Sequence, residues 1–255
     1  MSRDDTRQAL AEYALRLGDN SLILGQRLSE WCSHAPQLEE DVALINIALD
    51  LVGQARALLS YAGELEGRGR GEDELAFLRD VREWRNLLLV EQPNGDFART
   101  IARQLLFDCY AFELYRALSD STDSQLAAIA AKSLKEVSYH RRHSVEWTLR
   151  LGDGTDESHR RMQAAIDDLW PYTGELFEAD AVDAALIAAG IAPDPTELRA
   201  AWQASVSQVL ARATLAQPES MGLLSGGRSG LHSEHLGHLL AEMQWLQRAY
   251  PGLQW

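Results

Sequence analysis

The chain is poor in cysteine, shows no stretch where apolar and polar residues alternate, and has neither an internal repeat nor a low-complexity tract. Each lack excludes something. With Cys32 and Cys109 the only thiols in 255 residues, both inside helical patterns, the fold is expected to stand without disulfides in a reducing compartment. A chain of this length can bury a substantial core unaided. Missing alternation removes any credible strand pattern. The opening residues, MSRDDTRQ, are too polar for a signal peptide, and no apolar run reads as long enough to span a bilayer. The expectation is a soluble, cytoplasmic protein that makes no membrane contact. A formal net charge of −14 lacks the basic footprint that non-specific nucleic-acid binding needs, and otherwise speaks for solubility. Neither Gly-x-Ser-x-Gly, nor Cys-x-x-Cys, nor a nucleophile paired with a base occurs, so hydrolase and thiol-redox chemistry have no foothold.

What is present is helical periodicity. From Gln125 to Leu151 no Gly or Pro interrupts the chain, and one stripe through Leu126, Ala130, Val137, His140, Ser144 and Trp147 carries no fixed charge. That stripe should be buried. It places His140 in or near a core, with Glu136 one turn before it and His143 about one turn after. A first helix, or two nearly collinear ones with a bend at Gly18 to Asn20, is expected from Thr6 to His34, and a second from Pro36 to about Leu65. The second is apolar almost all round between Val42 and Ala62, with Asn46, Asp50 and Gln54 as one polar row. Such a helix should be covered on most sides, by its own bundle and by a partner chain. A short helix near Glu74 to Arg82 and an extended run from Leu87 to Val90 precede Asp96, an N-cap for a third long helix to about Leu118. Four long helices with a long second-to-third crossover make an all-α, ferritin-like four-helix bundle. The pattern predicts one domain over 1–255: a core bundle at about 6–151 and a C-terminal helical extension at about 155–255. That extension should hold helices near 156–177 (bent at Pro171), 180–189, 195–215 and 232–249, with a loop at 216–230.

Ferritin-like di-iron sites need a carboxylate from each of two helices and a Glu-x-x-His from each of the other two, because that spacing aims both ligands inward. This chain has no Glu-x-x-His: Val137 stands three before His140, and His140 three before His143. Only Asp156, at an exposed helix start, is an acid three residues before a histidine, His159. Asp50, Gln54, Asp108, Glu136, His140 and His143 are accordingly read as a buried hydrogen-bonded cluster without metal, in the region where a metal site would be. His232, His235 and His238 fan over roughly 120°, too wide for one ion, and are read as interface or solvent-facing. Gly226, Gly227 and Arg228 could touch a phosphate but lack P-loop spacing, so a mobile loop is the ordinary reading.

Five stretches carry a family resemblance: LRLGDNSLILGQRLSEWCSHAP from Leu15, NIALDLVGQAR from Asn46, NLLLVEQPNGDFARTIARQ from Asn86, KEVSYHRRHS from Lys135 and GLHSEHLGHLLAEMQWLQR from Gly230. Together they resemble, nearly end to end, the C subunits (PaaC type) of the bacterial 1,2-phenylacetyl-CoA epoxidase, the multicomponent ring oxygenase of phenylacetate degradation. The resemblance implies a ferritin-like, non-catalytic subunit that pairs with and stabilises a homologous di-iron A subunit, alongside a small B subunit and a reductase subunit. It implies no catalytic or metal-ligating residue and no cofactor in this chain. In the complex, di-iron sits in the A subunit, and FAD, an iron–sulfur centre and NADPH act at the reductase, with phenylacetyl-CoA as substrate. By the same resemblance Leu51 and Gln54 stand where the A subunit's second helix has Glu and His, and Val137 where its last bundle helix has Glu. Contact of CoA phosphates with Arg228, Gly226 and Gly227 is a further expectation. A catalytic dimetal oxidase with ligands from Asp50, Asp108, Glu136, His140 and His143, and a free-standing binding protein, remain alternative readings.

Overall fold

The computed structural model describes residues 3–219 and 224–252. Eleven α-helices follow in order among them: α1 (Arg3–Ser29), α2 (Leu38–Glu66), α3 (Glu72–Phe77), α4 (Leu88–Glu91), α5 (Phe97–Leu118), α6 (Ser124–Gly152), α7 (Asp156–Leu169), α8 (Ala181–Ala188), α9 (Pro195–Arg212), α10 (Glu234–Met243) and α11 (Trp245–Ala249). No strand occurs among the described residues. The chain divides into two compact units, residues 1–93 with 226–255, and residues 94–225. The stretch expected as one C-terminal extension is therefore shared, 156–225 with the second unit and the rest with the first.

In the first unit α1 and α2 form an antiparallel pair. The guanidinium of Arg7, near the start of α1, donates to the carbonyls of Leu65 and Glu64 at the end of α2, at 2.9 and 3.0 Å. Those carbonyls lack partners within their own helix, so the arginine satisfies them and fixes the pairing sense. The bend expected at Gly18 to Asn20 is absent, and α1 runs unbroken. A Cβ on Gly18 would meet Leu59 Cδ2 at 2.8 Å, so the glycine serves close packing of α1 on α2. Asp19, fully buried, pairs with the buried Arg79 and accepts from the amide of Arg85 at 2.8 Å. Arg79 also stacks on Trp84 at 4.3 Å.

Two of the differences from the expected boundaries in this unit have tertiary reasons. Leu87 to Val90 does not run extended: after Leu87 the chain closes one turn, α4, whose last peptide carbonyl takes both Nε and Nη2 of Arg27. The last helix breaks at Gln244, whose buried amide donates to the carbonyls of Ala76 and Arg79 at 3.0 Å each. By length and composition α2 could cross a membrane, contrary to the sequence expectation, and it is the one helix among the described residues that could. Half of its apolar window is buried, as in a core helix of a globular protein.

The second unit is built on α5 and α6, again antiparallel, with Phe97 at the start of α5 meeting Trp147 near the end of α6 edge to face at 5.0 Å. Both helices begin at an aspartate that accepts from the third amide, Asp96 from Arg99 and Asp123 from Leu126. The helix expected over 156–177 stops at Leu169, and single 3-10 turns carry Trp170 to Phe177, because Pro171 has no amide to continue the ladder. Trp170, Trp202 and Phe177 cluster at 5.2 to 5.7 Å, and the indole N–H of Trp202 donates to Leu106 O at 2.9 Å, seating α9 on α5.

Candidate functional site

Within the second unit, α5 contributes Asp108 and α6 contributes His140, His143 and Ser144, all buried. Burial pushes the Asp108 carboxyl up to about 8, against the downward pull of Ser144 and of the Arg103 and Arg141 guanidinium groups. Gln104 reaches Asp108 Oδ1 at 3.5 Å, and Arg141 lies 3.7 Å from the centre of the Phe112 ring. The ring of Tyr139 lies 6.3 Å from that of His140 and 6.4 Å from that of His143. Glu136 is only half-buried and pairs with exposed Lys132 at 3.8 Å. Val137, at the position three before His140, is 2% exposed. In the first unit, Gln54 and Leu51 of α2 are buried, and Asp50 is half-buried.

The donor chemistry does not fit a di-iron centre. Such a centre takes a Glu-x-x-His from each of two helices, and this sequence has none: Val137 stands three before His140. Among the described residues no three His, Cys, Asp or Glu side chains gather so as to hold a metal ion.

The C-terminal stretch holds a constellation that sequence reasoning missed. His232, read as interface or solvent-facing, has a fully buried side chain. Its Nδ1 lies 2.8 Å from Glu91 Oε2, itself fully buried, and its Nε2 lies 3.1 Å from Trp84 O. The same carboxylate accepts from Asn86 Nδ2 at 2.9 Å and from the Ser233 amide at 2.7 Å. Arg27 adds a bond to His235 O at 3.1 Å. This is a clamp that ties the segment before α10 to α1 and α4, and its signal in the sequence is one acid, Glu91, closing the apolar run LLLV. His238 is exposed and His235 half-buried.

The expected phosphate-binding loop is a closed turn. Gly226 O accepts from the amides of Ser229 and Leu231 at 2.9 and 3.0 Å, and Gly227 O accepts from Gly230 at 2.9 Å. The amides of Ser229, Gly230 and Leu231 are thus committed to the turn. Gly227 is buried and Arg228 half-buried; of the expected loop at 216–230, residues 220–223 lie outside the described residues.

Comparison with known proteins decides the family. The model for phenylacetic acid catabolic protein matches residues 1–255. The chain belongs to the phenylacetic acid catabolic protein family. A curated relative, the C subunit of 1,2-phenylacetyl-CoA epoxidase from Escherichia coli K12, is 58% identical over 246 residues, covering 96% of this chain and 99% of the relative. The fold class is that of this family, all-α and ferritin-like, with additional C-terminal helices.

Proposed function

We propose that this chain is the non-catalytic C-type subunit of a 1,2-phenylacetyl-CoA epoxidase, pairing with and stabilising a homologous di-iron A subunit. The 58% identity to an epoxidase C subunit carries the reading, together with the lack of any Glu-x-x-His in the sequence. A chain so close to an epoxidase C subunit, without the donors for iron, contributes structure rather than oxygen chemistry. In this reading the A subunit holds the di-iron and acts on phenylacetyl-CoA. The small B subunit and a reductase with FAD, an iron–sulfur centre and NADPH complete a cytoplasmic complex, and this chain carries no cofactor.

One face supports pairing. Along α2, Leu38, Val42, Leu49 and Val52 are 76, 51, 63 and 36% exposed, a seam of large apolar side chains open to solvent.

Purifying the chain alone and co-expressed with its A subunit, with iron per polypeptide and mass by light scattering, tests the proposal. Iron should be absent from the chain alone and present in a stable complex with the A subunit. Near-stoichiometric iron in the chain alone, lost on His140→Ala, would overturn it in favour of a dimetal oxidase.

A further inference from the structure

The clamp on the C-terminal segment dictates how many protons it holds. His232 Nδ1 faces Glu91 Oε2 at 2.8 Å and Nε2 faces Trp84 O at 3.1 Å, and both side chains are fully buried. A carbonyl oxygen only accepts, so Nε2 needs a hydrogen to meet Trp84. A bare Nδ1 and an ionised carboxylate are both acceptors too, so the second contact needs a hydrogen of its own. Two contacts therefore take two protons. In water at pH 7.5 a neutral imidazole brings one of them and an ionised glutamate none. Without the second, lone pairs would face each other where water does not reach, a costly arrangement.

The charges around the pair do not supply that hydrogen. Arg27 of α1 bonds the peptide carbonyls of Glu91 and His235 and pairs with Glu30 at 2.7 Å. Ahead of α4, Arg85 donates to Trp84 O at 2.8 Å and pairs with Glu12 at 3.2 Å, while Arg79, over the Trp84 ring, pairs with Asp19. Arg82 and Glu83 are exposed, as is Glu234 of α10, and His235 is half-buried. Each arginine that reaches this region is matched by a carboxylate of its own. The Glu91 carboxylate meets the imidazole, the Asn86 amide and the Ser233 backbone amide.

We propose that Glu91 and His232 form a proton-loaded latch, in which the segment leading into α10 closes onto α1 and α4 with one proton more than the open segment holds at pH 7.5. The sign follows from linkage. Below about pH 6.5 the imidazole of the open segment is itself protonated, so closing leaves the proton count unchanged and the latch is at full strength. Above about pH 6.5 closing draws a proton from solution, and the latch weakens about tenfold for each pH unit. The C-terminal segment is thereby tied to pH through a histidine that has no contact with solvent.

Hydrogen exchange of the full chain tests this, read as protection factors over α10 between about pH 5.5 and 7.5 in wild type, His232→Gln and His235→Gln. In wild type, protection should stay level to about pH 6.5 and fall about tenfold over the next unit. His235→Gln keeps the peptide carbonyl that Arg27 uses and should show the same fall. His232→Gln takes up no proton and should show a level profile. A level wild-type profile would overturn the proposal, as would a fall that His232→Gln retains or that His235→Gln abolishes. A second reading needs no variant. Ring 15N and carboxyl 13C spectra at pH 7.5 should together place two protons on the His232–Glu91 pair, and one ring proton beside an ionised Glu91 would overturn the latch.

Discussion

Asp108 keeps its proton at neutral pH because taking its charge out of water costs more than Ser144, Arg103 and Arg141 return. In the unfolded chain the carboxyl ionises near 3.8, and in the folded chain near 8. Between those values folding takes up a proton, so the contribution of Asp108 is fully present below 3.8 and is lost as pH rises through about 8. The slope inside that window is about 1.4 kcal/mol per pH unit at most. Asp108→Asn keeps the shape and cannot ionise. It should therefore be more stable than wild type by a few kcal/mol at pH 7.5, with the gap closing toward pH 4.5, as urea denaturation at several pH values would read. Equal pH profiles for the two would mean that Asp108 is ionised and paired in the folded chain. Cys109, one residue on, is pushed up to about 12 by the same burial and stays an inert thiol.

At the scale of the element, the helices that sequence reasoning placed well are those whose signals are local. Asp96 caps α5, and the uninterrupted stretch from Gln125 to Leu151 became α6 to within a residue at each end. Breaks set by distant partners were not legible: α4 closes its turn beneath Arg27, and α10 ends where the Gln244 amide turns in to Ala76 and Arg79. His232 was misread for the same reason. Its spacing from His235 and His238 suggested a surface row, while its actual partner, Glu91, lies 141 residues away. Of the candidate site, the lack of a Glu-x-x-His could be read directly from residue identity, with Val137 three before His140. The protonation of Asp108 could not, since it depends on what surrounds the residue. The clamp yields its own prediction. His232→Ala leaves a buried carboxylate short of a partner and should destabilise the chain by about 3 kcal/mol. Hydrogen exchange should rise first over α10. His232→Gln, able to keep one bond to Glu91, should lose less. Unchanged exchange over α10 in both would show that the segment is held by Leu236, Leu239 and Leu240 alone.

For the whole molecule, one apolar seam has to coexist with a net charge of −14. Burying Leu38, Val42, Leu49 and Val52 contributes roughly 1.5–3 kcal/mol each at most, while association costs about 4–15 kcal/mol in lost freedom. A seam of that size, opposed by the repulsion of two chains of like charge, does not hold a second copy firmly. The isolated chain should therefore run as a monomer at micromolar concentration in low salt at pH 7.5. Self-repulsion weakens as salt is added or as pH falls toward the isoelectric point near 4.9, and the seam is then left unopposed. Sedimentation should show mass rising along both routes, and Leu49→Asp, which puts a charge at the centre of the seam, should suppress the rise. Association that persists in Leu49→Asp would place the sticky surface elsewhere, and the exposed Trp245 and Tyr250 at the other end of the first unit's sequence would be the next residues to change.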